Sequence, residues 1–79
     1  MSPEAELYYF DVRLNIAPDE WLVLYRGEVD AIIATADNGK RVRFPANVMQ
    51  PYVLHQGLIG HFRLFFNEQM RYVEVQRLA

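Results

Sequence analysis

Cysteine is absent from this chain of 79 residues. Disulfide bonds and thiolate zinc sites are therefore excluded, and a chain without disulfides suits the reducing cytoplasm, which is the location we expect. Long apolar runs are also lacking: 52% of the residues are hydrophobic, but no run approaches the roughly 20 residues of a membrane helix. Since the N-terminus has no basic segment leading into an apolar one, we expect no signal peptide and no membrane contact.

Nucleophiles and metal ligands are scarce in the sequence. Ser2 and Thr35 are the only aliphatic hydroxyl residues, and neither lies in a nucleophile motif. His55 and His61 are the only histidines, and their spacing matches no metal-binding pattern. The four glycines fall at separate turns and form no phosphate-binding loop. We therefore predict that the protein is not an enzyme and has neither a cofactor nor a metal site.

A strong charge of either sign is lacking too. Eight basic and ten acidic residues give a formal net charge of −2. Dedicated nucleic-acid-binding proteins usually carry a basic excess, so a nucleic-acid role would need a local cationic patch. A chain of this length forms one domain with one core. We predict a single domain over residues 1–79, with residues 1–6 frayed.

Alternation of apolar and polar residues predicts a first strand from Tyr8 to Ile16. A short helix is predicted next. Pro18 suits its first position, since the proline nitrogen needs no hydrogen bond there, and Gly27 suits a left-handed terminator. Trp21 and Leu24 are three residues apart and therefore share the helical face that we expect against the core.

The segment Asp37-Asn38-Gly39-Lys40 predicts a hairpin whose first strand runs over residues 29–36. A two-residue type I′ turn and a three-residue loop with a bulge at the glycine are the alternatives. The two-residue turn places Ile33 opposite Phe44 on one face, whereas the bulged register sets Ile33 against Arg43. We therefore favour the type I′ turn.

Residues 45–56 predict a helical turn over residues 46–50 and a second one from Pro51, because proline interrupts a helix. A last hairpin follows, with strands over residues 59–66 and 71–78. The prediction is an α+β domain with one strongly bent antiparallel sheet of about five strands, in the order β-α-β-β-α-β-β, and two short helices on its apolar side. The predicted core is Phe10, Val12, Leu14, Trp21, Ile33, Val42, Phe44, Phe62, Leu64, Phe66, Val73 and Val75.

Two surfaces are candidates for binding. The first is a cationic sheet face with interleaved aromatic residues, a combination that holds phosphates and stacks on bases. It comprises Lys40, Arg41, Arg43, His61, Arg63, Phe65, Arg71 and Tyr72. The alternative interpretation is an ordinary solvated face on which Asp30 and Glu74 pair with the arginines. The second surface is a set of apolar residues outside the predicted core, of a kind that often marks partner surfaces. It comprises Leu22, Val23 and Ile32.

Short motifs along most of the chain carry a family resemblance. They include Tyr8-Tyr9-Phe10, Glu20-Trp21-Leu22, Thr35-Ala36-Asp37-Asn38-Gly39, Pro51-Tyr52-Val53 and the run from His55 to Leu64. Their spacing resembles a small proteobacterial family catalogued as domain of unknown function 2835. The resemblance implies a short stand-alone bacterial protein without an assigned activity, and it carries over no catalytic or binding residue.

The function that we expect is binding. A domain this small, without disulfide or metal, gains stability by association, so we expect a protein–protein interaction module, self-association included. The alternative is a nucleic-acid-binding accessory protein that uses the face of Arg41, Arg43 and Arg63, although the net charge disfavours it. In either case the acting surface is expected to be the cationic sheet face, with Phe65 among the arginines.

Overall fold

The computed structural model describes residues 7–26 and 31–79. The elements run as strand β1 (Tyr8–Ile16), helix α1 (Pro18–Tyr25), strands β2 (Ala31–Thr35) and β3 (Arg41–Pro45), a 3₁₀ helix (Ala46–Tyr52), and strands β4 (Leu58–Phe66) and β5 (Tyr72–Arg77). This order confirms the predicted succession of elements in an α+β chain. The predictions for residues 1–6, the Gly27 terminator and the start of the second strand at residues 29 and 30 lie outside the described residues.

The strands form two antiparallel sheets where the sequence predicted one. β1, β4 and β5 form a three-stranded sheet with β4 in the centre, and β2 pairs with β3 in a separate hairpin. The two sheets meet at an isolated bridge between Ala36 and Val12, next to which the Asp37 N–H donates to the Asp11 carbonyl over 2.8 Å. The sheet is divided because, among the described residues, the hairpin is hydrogen-bonded to β1 only where β2 gives way to the turn.

Helix α1 begins at Pro18 as predicted, although Ala17 has no side chain that could cap it. Glu20 compensates, since its carboxylate accepts a hydrogen bond from the Ala17 N–H over 3.0 Å. Trp21 is buried in the core, and Leu22 and Val23 are exposed. The helix therefore packs through one narrow side.

The second helix is a 3₁₀ helix that continues through Pro51 to Tyr52. The predicted break at Pro51 is therefore wrong. A 3₁₀ helix bonds each N–H three residues back, and Pro51 lies so close to its C-terminal end that only one such bond is forgone. Ala46 and Met49 of this helix are buried, which the sequence analysis did not predict.

The β2–β3 hairpin turns through the three-residue loop and not through the favoured type I′ turn. Gly39 has φ of 90°, its N–H donates to the Ala36 carbonyl over 2.9 Å, and the Ala36 N–H donates to the Lys40 carbonyl over 2.7 Å. This arrangement is a turn followed by a bulge at the glycine. The Asn38 side chain stabilises it by accepting the Lys40 N–H over 3.0 Å.

Compared with the predicted type I′ turn, the bulged loop turns the opposite set of β2 side chains towards the core. Ile33 lies opposite Arg43, and Ile32 lies opposite Phe44. Ile33 is accordingly 61% exposed, whereas Ile32 is buried. The predictions that Ile33 belongs to the core and Ile32 to a surface are both wrong, because a shift of one residue turns every side chain of a strand to the other face.

Strand β4 carries the predicted core residues Phe62, Leu64 and Phe66, and all three are buried. Its pairing with β5 shifts between Phe65 and Phe66, so that Tyr72 lies opposite Phe66. Val73 is then the extra residue of a β-bulge and is 44% exposed. The predicted core position of Val73 is therefore wrong, and Tyr72 takes its place beside the core.

The core lies between the inner face of the three-stranded sheet, the hairpin and the two helices. It consists of Val12, Leu14, Trp21, Ile32, Ala36, Val42, Phe44, Ala46, Met49, Leu58, Phe62, Leu64 and Phe66, with Phe10 and Val75 partly buried against it. Within the described parts of the chain, neither helix has the length and apolar character needed to cross a bilayer.

Replacing Phe62 by alanine should cost about 3–5 kcal/mol, as truncation of a buried aromatic residue does. Phe62 has no solvent exposure, and its ring packs edge-on against Tyr52 with 5.3 Å between centroids. The exposed Ile33→Ala variant is the control and should stay within about 0.5 kcal/mol of the parent. Urea unfolding gives both values, and a large loss in Ile33→Ala would contradict the hairpin register.

Replacing Gly57 by alanine should cost about 2–4 kcal/mol, through left-handed strain and steric overlap together. Gly57 has φ of 105°, and a Cβ there would collide with the Ile16 carbonyl oxygen. Gly39→Ala is the matched variant, because its φ of 90° is as restrictive but nothing lies within 4 Å of the added carbon. Gly39→Ala should therefore cost only about 1 kcal/mol. If thermal unfolding showed equal losses of stability in the two variants, the clash at Gly57 would be contradicted.

Candidate binding site

The structure does not place the predicted cationic residues on one face. His61, Arg63 and Phe65 alternate along β4 with its buried residues and therefore point away from the core. Tyr72 lies on the core side, and burial raises the pKa of its phenol. Arg71 is exposed in the turn before β5, where its N–H donates to the Asn67 side chain. Arg41 and Arg43 belong to β3 in the other sheet, and Lys40 immediately precedes that strand.

Arg63 is held in a bidentate ion pair on the outer face of the three-stranded sheet. Its Nε donates to Asp11 Oδ1 over 2.7 Å, and a terminal nitrogen donates to Oδ2 over 3.0 Å. The two residues are direct cross-strand neighbours. The hydrogen bond from Arg63 holds the pKa of the Asp11 carboxyl below its usual value, although desolvation by burial opposes this. The predicted pairing with Glu74 is therefore not the one that Arg63 forms, and the predicted pairing with Asp30 lies outside the described residues.

Aromatic rings complete the surroundings of Arg63. Its guanidinium lies 4.2 Å from the centroid of the Tyr9 ring, a cation–π distance. The Tyr9 ring lies 6.3 Å from that of Phe65. Arg63 and Phe65 are therefore engaged with neighbours in the same sheet, and their presence on a surface is explained by cross-strand pairing.

His61 connects the two sheets. Its Nε2 lies 2.9 Å from Asp37 Oδ2, in the turn of the hairpin. Ligand atoms of Asp11, Asp37 and His61 all lie within 4.8 Å of one another, an arrangement of metal-ligand types. Asp11 already receives two hydrogen bonds from Arg63, which a metal would have to displace. We therefore interpret the cluster as a link between the sheets. His55 is exposed and does not belong to this cluster.

A groove of about 490 Å³ lies beside β3 and holds the remaining cations. Its lining residues are Tyr8, Phe10, Lys40, Arg41, Val42, Arg43, Phe66 and Met70; we call it the cationic groove. None of the described residues that line it is acidic. The three cations are exposed, and none of them forms an ion pair within the described residues.

The apolar wall of the cationic groove is formed where β1 begins and its neighbour β4 ends. The rings of Phe10 and Phe66 pack edge-on with centroids 5.6 Å apart. Tyr8 and Met70 are about half exposed beside them. Tyr8 and Met70 were not predicted to be site residues. Tyr8 could have been identified from its position as the first residue of the apolar face of β1, where few neighbours can cover a side chain.

The candidate apolar interface is smaller than predicted. Leu22 and Val23 are 46% and 42% exposed on α1, but Ile32 is buried in the core. Two exposed residues on one short helix are common on monomeric proteins and do not by themselves define an interface.

Comparison with known proteins identifies the family. The model of the family described as "Protein of unknown function (DUF2835)" matches residues 8–78. The chain therefore belongs to this family, as the spacing of its motifs predicted. No curated protein and no solved structure is significantly similar to the chain.

The ion pair of Asp11 and Arg63 should make stability depend on pH. Since the pKa of Asp11 is lower in the folded protein than in the unfolded chain, the pair stabilises the fold above the unfolded value of about 3.9. This contribution is lost as the pH falls through the folded pKa. Asp11→Asn should therefore lower the melting temperature at pH 7 and converge with the parent once the pH falls below the lowered pKa of Asp11.

A double-mutant cycle with Arg63→Gln is the control for that measurement. If the two side chains act on each other, Asp11→Asn together with Arg63→Gln should destabilise less than the sum of the single variants. Additive losses, or a difference from the parent that stays constant with pH, would contradict the proposed coupling.

Proposed function

We propose that this member of the family is a cytoplasmic protein-binding module that recognises an acidic segment of a partner through the cationic groove, and that it acts by binding and not by catalysis. The observation that carries the proposal is the grouping of Lys40, Arg41 and Arg43 on a concave surface where no described lining residue is acidic. Folding does not require these three charges, since exposed cations contribute little to stability.

The composition of the groove supports a ligand that is both acidic and apolar. Guanidinium groups bind carboxylates in a bidentate manner and also stack on planar groups. The half-exposed Tyr8 and Met70 provide apolar contact area next to these charges. A partner segment with carboxylates and apolar side chains would complement both, and charge complementarity at the rim would accelerate its association.

The arginines that have no ion-pair partner among the described residues indicate which surface binds the partner protein. Arg63 would have to leave Asp11 before it could bind a partner, and breaking a bidentate pair opposes binding. Arg41 and Arg43 have no such partner among the described residues. We therefore assign binding to the cationic groove and give the outer face of Arg63 and Phe65 a role in sheet pairing.

Nucleic-acid binding is the second candidate, because arginines next to an aromatic ring are also typical of single-strand binding. The aromatic residues of the groove argue against it. Phe66 is buried and Phe10 is partly buried against it, edge to ring. Tyr8 is then the one aromatic ring of the described lining that is open for stacking on a base. The net charge of −2 further disfavours attraction of a polyanion.

Replacing Arg41 and Arg43 together by glutamine should abolish capture of the native partner from a lysate of the source organism. The free energy of unfolding should stay within about 1 kcal/mol of that of the parent, since both side chains are exposed. Arg13→Gln with Arg26→Gln is the matched control, because it removes the same charge from two other exposed positions and should retain the partner.

Nuclease treatment of the lysate separates the two candidates. A partner that persists after nuclease and is lost only with the groove arginines supports protein binding. Loss after nuclease would favour the nucleic-acid alternative. Equal capture by the groove variant and by its parent would contradict the assignment to the groove, and exposed Leu22 and Val23 would become the better candidates.

A further inference from the structure

The backbone of β3 has a free edge. The Ala36 N–H bonds to the Lys40 carbonyl, and hydrogen-bonded pairs alternate along an antiparallel ladder. In the observed register, Val42 and Phe44 therefore direct their N–H and carbonyl groups towards β2. Arg41 and Arg43 direct theirs to the opposite side, where no described strand pairs with β3.

The cationic groove meets β3 at this free edge. Successive side chains of a strand point to opposite faces, yet Arg41, Val42 and Arg43 all line the groove. A surface can touch three consecutive strand residues when it lies alongside the strand and not above one face. No described residue of β2 lines the groove, which places it on the side of β3 that faces away from β2.

We propose that the partner binds in an extended conformation and adds a strand to the free edge of β3 in the cationic groove. This inference rests on the proposed function and specifies its mode. The partner would take up the free N–H and carbonyl groups of Arg41 and Arg43, as in known cases of strand addition to a sheet edge. Pro45 has no N–H and limits the pairing edge at its C-terminal end.

The side chains around the edge define the sequence that such a strand would have. On one face, its side chains would lie beside those of Arg41 and Arg43, where carboxylates are favoured. On the other face, they would lie beside Val42 and reach Tyr8, Phe10 and Met70, where apolar side chains are favoured. The complementary segment therefore alternates acidic and apolar residues.

Charge also excludes a second copy of β3 as the occupant. Two such strands paired edge to edge would bring arginines together, and like charges on an edge oppose pairing. A polypeptide is favoured over a nucleic acid, because a polypeptide strand supplies regularly spaced N–H and carbonyl groups that match those of Arg41 and Arg43.

The test uses an acetylated, amidated eight-residue peptide of alternating Glu and Val with the full-length protein labelled with ¹⁵N. We expect saturable binding, with at least about tenfold slower amide hydrogen exchange at Arg41 and Arg43 in the complex. The Ile33 amide is the internal control: it belongs to β2, away from the groove, and its exchange should not change. A peptide methylated on every backbone nitrogen keeps its charges but should bind at least about tenfold more weakly.

Three further arms separate failure of this inference from failure of the proposed function. The Arg41→Gln, Arg43→Gln variant should lose the peptide, and neither the peptide with Lys for Glu nor oligo(dT) should bind the parent protein. If the Glu-Val peptide binds through these arginines without protecting their amides, and the methylated peptide binds equally well, strand addition is overturned while acidic recognition stands. If the Lys peptide binds equally well, or no peptide binds, or only oligo(dT) binds, the proposed function is overturned together with the inference.

Discussion

The central position of β4 is the constraint on which the rest of the structure depends. This strand pairs with β1 on one side and β5 on the other, and its residues Phe62 and Leu64 have no solvent exposure. Its ladder with β1 extends without interruption from Tyr8–Phe66 to Ile16–Leu58. The hairpin and both helices have no comparable ladder to this sheet. They are held mainly by burial against its inner face, which provides most of the free energy of folding in a domain of this size.

Periodicity allowed the long strands to be predicted, but not the registers that depend on one extra residue. Apolar and polar residues alternate along most of β1 and β4, with exceptions at Tyr9, Ile59 and Phe65, so their buried faces follow from the sequence. In the two hairpins, a bulge at Gly39 and another at Val73 decide which residues face inward. Both registers of β2 offer an isoleucine to the core, so hydrophobicity could not discriminate between them. The preference for separating Arg43 from Ile33 was misleading, because Ile33 is exposed beside it.

The candidate site was predicted in its residue types but not in its arrangement. Alternation assigns each residue to a face of its own strand, but it does not state which strands are neighbours. Arg63 finds its partner in Asp11, 52 residues away in the sequence, and no local pattern predicts a contact at that separation. Arg41 and Arg43 were identified because they alternate with buried Val42 and Phe44. Their apolar neighbours in the groove depend on how the hairpin packs against β1, which is a property of the whole fold.

Because positions 32 and 33 are both isoleucine, two registers of β2 would each place an isoleucine in the core. Either residue could fill the space opposite Phe44, so this position supplies almost no discrimination between the two registers of the strand. The choice is left to the loop Asp37–Gly39, through its glycine and the Asn38 cap on Lys40. Drawing Asp37 out of the loop and into the strand, at the same chain length, would put Ile33 in the place of Ile32 and would turn Thr35 inward. In this hairpin, the number of residues held in the turn therefore decides which side chains of β2 the protein presents to solvent.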